Sequence, residues 1–428
     1  MFLSGGFMRK LLCVMLSVAM VLSLCACSAD GNASSVPTVI YEEEVVYEET
    51  VLEDDVDSKD NDTSLDFDVS DFSSDGSTTP NPTVSHNLQS NEEVTYYLNN
   101  TATLECVKLN GRCDKTDNGI SLNMAASAIE FNTDSTSVLL KTDADVGLFY
   151  TIMIDGEITV HHKEFEKAED NYVVLARGLK EGSHNIKFIR DSESRTNMKL
   201  IAESIQLDDG AKLLPKDADK PIIEFLGDSL TSGYGNIVAN GTSEPQSLKN
   251  QSSVKAYPFL LANKLGYDYR IVSMSGIALA KRDGYPSFTE FYSLESYHLD
   301  RAKKYISSTP EDVDIVIINL GTNDIGAKMY DVNNPDNVSA YKQHFAKLIT
   351  DIGYRKDVKI IFVTGVWHKE PITAIELAIV ELKNMGYNYA YSVVLSEGKS
   401  GGGAHPYAKE HQEYADKLEK FLKDNEIA

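Results

Sequence analysis

Residues 222–235 read IIEFLGDSLTSGYG. The apolar run Ile222–Leu226 has the look of a strand buried on both faces, and Gly227 then breaks it. The same rhythm continues downstream. Ser253–Leu265 has helical spacing, Arg270–Met274 reads as a strand, and Val313–Leu320 (VDIVIINL) is the most apolar strand of all. Val358–Val363 and Tyr389–Val394 are two more strands, with helical stretches near 290–306, 338–352, 372–385 and 407–425. Alternation of this kind predicts an α/β domain with a parallel sheet and helices on both faces. In such folds the site lies beyond the C-terminal ends of the strands.

Four strand ends carry polar groups suited to chemistry. Gly227-Asp228-Ser229 with Gly233, Tyr234 and Gly235 follows the first strand, and Ser275-Gly276 follows the second. Gly321-Thr322-Asn323-Asp324 follows the third, and Gly403-Ala404-His405-Pro406 stands before the last helix. A serine on a tight turn exposes its Oγ, and backbone N–H groups beside it can face a developing oxyanion. A hydroxyl, a glycine N–H, a carboxamide and an imidazole are together the parts of an acyl-transfer site.

Upstream, residues 94–212 alternate short β-rich runs with turns. Strands are predicted at Val94–Leu98, Thr103–Leu109, Gly119–Leu122, Ala128–Asn132, Ser137–Thr142, Phe149–Ile154, Glu157–Val160, Tyr172–Ala176, Asn185–Arg190 and Met198–Gln206. Asp155-Gly156 between apolar runs is a strong hairpin signal. Strands at this spacing without long helices point to an all-β sandwich. Cys106 and Cys113 flank Asn110-Gly111, so a disulfide across a hairpin is one reading and two separate thiols the other. His161 and His162 are neighbours, so on a regular strand they face opposite sides. No metal-ligand spacing is present.

The second half resembles the SGNH/GDSL hydrolases, with GDSLTSGYG, SG, GTND and HP in order. Joined to the upstream module it resembles carbohydrate esterase family 2. Asn110-Gly111-Arg112, Ile129-Glu130-Phe131, Ile154-Asp155-Gly156, and Gly182-Ser183-His184-Asn185 running into Phe188-Ile189-Arg190 carry that part of the likeness. The resemblance implies a jelly-roll sandwich followed by a flavodoxin-like three-layer α/β/α domain. It implies Ser229 as nucleophile and His405 as base and then acid. The oxyanion hole would be the Ser229 and Gly276 N–H groups with the Asn323 side chain. It implies no metal and no cofactor, and an acetylated carbohydrate as substrate. Asp228 reads as a structural hydrogen-bonder of its turn.

One departure stands out. These hydrolases usually place an aspartate three residues before the histidine, and here that position is Gly402. The expectation is a Ser–His dyad whose imidazole is oriented by a backbone carbonyl near Gly402–Gly403, with Glu397 as the fallback acid. The aromatic residue often found just before the histidine is replaced by Ala404. Trp367, the only tryptophan, follows the fourth strand and reads either as a sugar-stacking platform or as a core residue. Tyr234 reads as a pocket-lining residue or as packing for the next loop. His368 and His411 are expected on the surface.

The chain has 428 residues and a formal charge of −25. Between Glu42 and Asp75 stand six Glu, nine Asp and one Lys, a net of −14, so most of the charge is local. That segment has too little apolar surface to offset its ordering entropy and is expected to be disordered. The whole linker of about 65 residues, from Ser28 to about Glu92, spans on the order of 45 Å as a coil. Before it, residues 8–27 read MRKLLCVMLSVAMVLSLCAC, a charged start and an apolar run too short to span a bilayer. Its end, Leu24-Cys25-Ala26-Cys27, resembles a bacterial lipobox, with Met8 as the expected start and Cys27 as the lipidated residue. The expected organisation is a signal peptide at 1–27, an acidic linker at 28–93, a β-sandwich at 94–212 and a hydrolase domain at 213–428. The acidic balance argues against nucleic-acid binding, which wants basic patches. These readings add up to an exported, outward-facing monomer, held at the membrane through its lipid only. It would remove acetyl groups from xylan- or glucomannan-type glycans. The alternatives are a cell-wall glycan O-acetyl esterase and a non-catalytic glycan-capture lipoprotein.

Overall fold

A computed structural model describes residues 93–166, 172–193, 198–282, 284–294 and 310–428. The expected signal peptide, Cys27 and the expected acidic linker up to residue 92 fall outside these residues, as does most of the helix expected near 290–306. The described residues all belong to one compact unit, Ser85–Ala428.

Twelve strands among the described residues build the first domain. They are β1 (Val94–Tyr97), β2 (Val107–Asn110), β3 (Cys113–Lys115), β4 (Ile120–Leu122), β5 (Ala128–Thr133) and β6 (Val138–Ala144). After them come β7 (Phe149–Ile154), β8 (Glu157–Glu164), β9 (Tyr172–Ala176), β10 (His184–Arg190), β11 (Leu200–Leu207) and β12 (Leu213–Leu214). One antiparallel sheet runs β3-β4-β11-β6-β9 with β1 on β11, and the other runs β12-β5-β10-β7-β8 with β2 on β5. Alternate residues of both sheets meet in a shared core, Leu140, Ala202 and Ile205 from one and Phe131, Ile152 and Phe188 from the other. Asp155 and Gly156 both take positive φ, as the tight β7–β8 hairpin requires.

Three expectations for this domain need correction. Residues 103–106 are not strand: Asn100 caps a short helix, α1 (Thr101–Leu104), and β2 starts at Val107. Asn110-Gly111 does not close a hairpin, because β2 and β3 lie in different sheets. Cys106 and Cys113 are therefore free thiols, and Cys113 Sγ donates instead to the Asn110 and Ala128 carbonyls. His161 and His162 do share a partner. His162 sits at φ +50 beside a register shift in the β7–β8 ladder. His162 Nδ1 thus lies 2.9 Å from the buried Asp191, and His161 Nε2 lies 3.2 Å from Ser252 Oγ, itself bonded to Asp191.

The second domain carries a five-stranded parallel sheet: β13 (Ile222–Gly227), β14 (Asp268–Ser273), β15 (Val313–Asn319), β16 (Lys359–Thr364) and β17 (Ala390–Val394). Its order is β14-β13-β15-β16-β17. Side chains alternate between two cores, as the strand period demands. Ile315 and Ile317 pack under α3 (Tyr257–Leu265) and α8 (Ala408–Asp424). Val316 and Ile318 pack under α6 (Pro335–Ile352) and α7 (Ile372–Asn384). The helix expected from Ser253 starts as a 3-10 turn and becomes α-helical only at Tyr257, with Pro258 in its first turn. The sheet reverses direction of growth at β13, so the crevice between β13 and β15 is where a ligand site is expected.

The two domains are keyed together. Gly111 N donates to the Tyr269 carbonyl at 2.9 Å, and Tyr269 Oη donates to the Ala126 carbonyl at 2.9 Å. Arg112 is fully buried, lies over the Tyr292 ring and donates to the Leu294 carbonyl.

Candidate active site

Ser229 opens α2 (Ser229–Ser232) directly after β13. Asp228 caps that turn through Oδ1, which accepts from Leu230 N at 3.0 Å. Ser232 Oγ donates to Ser273 Oγ at 2.8 Å and ties the turn to the end of β14. Asn236, at the end of the same block, accepts from Ser252 N and donates to its carbonyl, while its own carbonyl takes Ala408 N. This last bond links the serine block to the start of α8, just behind His405.

Ser229 Oγ and His405 Nε2 are 2.9 Å apart, and both residues are buried. His405 Nδ1 lies 3.0 Å from the Gly403 carbonyl oxygen. A carbonyl can only accept, so the proton of the neutral ring belongs on Nδ1 and Nε2 is left to accept from the serine hydroxyl. The loop achieves this with two successive left-handed residues, Gly403 at φ +64 and Ala404 at φ +57. For an alanine this conformation costs about 1 kcal/mol. Three hydrogen bonds offset it: Gly401 N to the His405 carbonyl, Ala404 N to Asn240 Oδ1, and Trp367 Nε1 to the Ala404 carbonyl.

Gly402 explains why no acid stands before the histidine. A Cβ there would lie 2.8 Å from Val238 Cγ2 and 3.0 Å from Pro245 Cβ. The space that an aspartate would need is filled by the 235–245 loop, to which Gly402 N donates at Gly235 O. Glu397 does not substitute. It is 61% exposed, and its ion pair with Lys399 holds its carboxyl below the usual range. Replacing Glu397 by alanine should therefore change kcat by no more than about twofold, read as initial rates on an acetyl ester.

The other two blocks close on the same point. Gly276 sits at φ +84 in the turn Met274–Ile277, closed by Ile277 N to the Met274 carbonyl. Neither Ser229 N nor Gly276 N has an acceptor among the described residues. Asn323, in α5 (Thr322–Gly326), places Nδ2 2.8 Å from the Ile277 carbonyl and 3.1 Å from Asp228 Oδ2. It thereby ties the third block to the first two. Asp324 was not singled out by sequence, yet its carboxylate accepts from Leu279 N, Ala280 N and Tyr341 Oη. The GTND spelling was its only signal.

The imidazole is held between rings. Tyr234 lies 4.3 Å from it, centroid to centroid, and Trp367 packs edge-on at 4.5 Å. Trp367 is half-buried and packs against the margin of the core that lies under α3 and α8. His368 is partly exposed near Glu370. His411, expected on the surface, is buried and accepts from Tyr257 N through Nδ1. The helix that carries it packs this face onto α3, so position alone could not reveal the burial.

Two buried groups here set opposite pH dependences. Burial pushes the Asp228 carboxyl up to about 7, helped by the nearby Asp324 and opposed by its hydrogen bond from Leu230 N. The native state then keeps a proton that the unfolded chain releases near its ordinary 3.8, so this contribution is full at low pH and lost as pH rises through about 7. Burial pushes His411 down to about 3, with the charge of His405 adding to it. Its contribution is full above the ordinary value of 6.5 and lost as pH falls through about 3. Asp228→Asn should make the melting temperature rise more steeply than wild type between about pH 4 and pH 6.5, and His411→Asn should flatten or reverse that slope. Thermal melts across that range read both.

Comparison with known proteins agrees with this architecture. Residues 109–216 match the family described as carbohydrate esterase 2 N-terminal, and residues 225–424 match the GDSL-like lipase/acylhydrolase family. A cellulase/esterase of Acetivibrio thermocellus is 30% identical over 250 residues, covering 54% of this chain and 28% of that protein. An acetylxylan esterase/glucomannan deacetylase of Cellvibrio japonicus is 27% identical over 216 residues, covering 50% of this chain and 58% of the relative. The chain thus spans less than two thirds of the length of either. The structure of an acetyl xylan esterase from the rumen bacterium Butyrivibrio proteoclasticus superposes with a TM-score of 0.66 at 18% identity, covering 78% of this chain and 98% of that one. The chain thus joins a segment similar to the carbohydrate esterase 2 N-terminal family to a segment similar to the GDSL-like lipase/acylhydrolase family, in that order.

Proposed function

We propose that this protein is a serine-dependent carbohydrate O-acetyl esterase working through a Ser229–His405 dyad. The observation that carries the reading is the 2.9 Å approach of Ser229 Oγ to His405 Nε2, with Nδ1 held by the Gly403 carbonyl. Ser229 Oγ attacks the acetyl carbonyl carbon as His405 takes its proton. The carbonyl oxygen becomes an oxyanion facing the Ser229 and Gly276 N–H groups, and Asn323 Nδ2 joins them by turning the hydrogen of its 3.1 Å bond to Asp228 Oδ2 onto it. The C–O bond to the sugar then breaks, and His405 returns the proton to the leaving hydroxyl. Water, deprotonated by the same histidine, hydrolyses the acetyl-serine to acetate. No step calls for a metal or cofactor. A backbone carbonyl stabilises the imidazolium less than a carboxylate would, which lowers the rate without changing the order of steps.

Similarity to an acetylxylan esterase/glucomannan deacetylase and to an acetyl xylan esterase favours acetylated xylan and glucomannan as substrates. Acetate release from acetylated xylan, acetylated glucomannan and O-acetylated cell-wall glycan, side by side, tests this choice. Fastest release from the plant-type glycans supports it, and release from the cell-wall glycan alone sinks it. The lipobox-like end at Leu24–Cys27 supports an outward-facing lipoprotein tethered by the acidic linker. Incorporation of a labelled fatty acid that disappears in Cys27→Ala is the expected result, and equal labelling contradicts it.

A further inference from the structure

We propose that Glu193, a residue of the β-sandwich domain, is a positioning residue for the oxyanion hole of the hydrolase domain. The inference rests on the esterase reading above and extends it across the domain boundary.

After β10 the chain runs Asp191-Ser192-Glu193, and all three residues are fully buried. The segment pushes two carboxylates into the second domain. Asp191 accepts from Ser252 Oγ and Val254 N, behind the Asn236 end of the serine block. Glu193 Oε2 accepts from Ser275 N at 2.9 Å. Ser275 is the residue just before Gly276, whose N–H is a proposed oxyanion donor.

The geometry of that turn makes the contact matter. Met274–Ile277 is a tight turn with Gly276 at positive φ. The position of the turn sets where the Gly276 N–H stands. The peptides on either side of that N–H are both held: Glu193 takes the Ser275 N–H of the preceding one, and Arg282 Nη2 donates to the Gly276 carbonyl of the following one. Asn323 holds the far end through the Ile277 carbonyl. Among these grips only Glu193 comes from the other domain. Arg190, buried beside it, donates to the Glu193 carbonyl and supplies a compensating charge.

Reach and charge can be separated by substitution. Glu193→Gln keeps an oxygen at the same reach, whereas Glu193→Asp keeps the charge but withdraws the acceptor by one methylene. Glu193→Asp should lose on the order of tenfold to a hundredfold in kcat with KM held, and equally on a small aryl acetate and on acetylated xylan. Glu193→Gln should recover most of that loss. Amide hydrogen exchange over 274–277 should speed up in the Asp variant and not in the Gln variant. This second readout needs no turnover, so it stands even if the wild type releases no acetate and the esterase reading fails. The proposal is overturned if Asp outperforms Gln, if both match wild type, or if the loss appears only on the polymer, which would make Glu193 a glycan contact.

Discussion

Ser229→Ala should lower kcat on any acetyl ester by at least about a thousandfold, with KM and melting temperature little changed. Among the described residues the hydroxyl is the nucleophile placed to attack a carbonyl carbon, since its Oγ lies 2.9 Å from His405 Nε2. The backbone around it is held independently, by the Asp228 cap and the Ser232–Ser273 bond, so the fold should not notice the loss. Residual turnover would come from the oxyanion donors acting on bound water. Serine and histidine act as one unit, so adding a histidine substitution to Ser229→Ala should cost almost nothing more.

The second large effect is at His405. His405→Gln should cost on the order of a thousandfold, and the cost should depend on the leaving group. An aryl acetate expels a stabilised phenolate and needs little protonation, whereas a sugar alkoxide needs the proton that His405 returns. The loss should therefore be larger on acetylated xylan than on the aryl ester. Equal losses on both would mean that His405 acts only as the base. Glutamine is preferable to alanine because the ring fills the gap between Tyr234 and Trp367, and emptying it would loosen both.

Much of this was legible in the sequence. The five parallel strands announced themselves as apolar runs because they are buried on both faces, and the strand ends named the serine, glycine, asparagine and histidine blocks. The sandwich strands showed through their alternation and the Asp155-Gly156 turn. What was missed depends on distant partners. The strands β3 and β12, of three and two residues, are too short to carry a period. The disulfide reading failed because proximity in sequence said nothing about which sheet each cysteine joins. The histidine pair misled because a single positive φ at His162 cancels the alternation of a regular strand. Burial of His411 and the reach of Glu193 into the oxyanion turn come from packing between α3 and α8 and between the two domains. No local pattern encodes either. The missing aspartate was visible, but its reason was not: the 235–245 loop occupies the place where its side chain would stand.

The central claim is that Ser229 carries the acetyl group. Rapid acid quench after mixing with an aryl acetate, followed by proteolysis and mass analysis, reads it directly. An acetyl adduct on the peptide bearing Ser229, formed in a burst and absent from Ser229→Ala, is the predicted result. Turnover with no adduct there, or an adduct that persists in Ser229→Ala at wild-type rate, would contradict it.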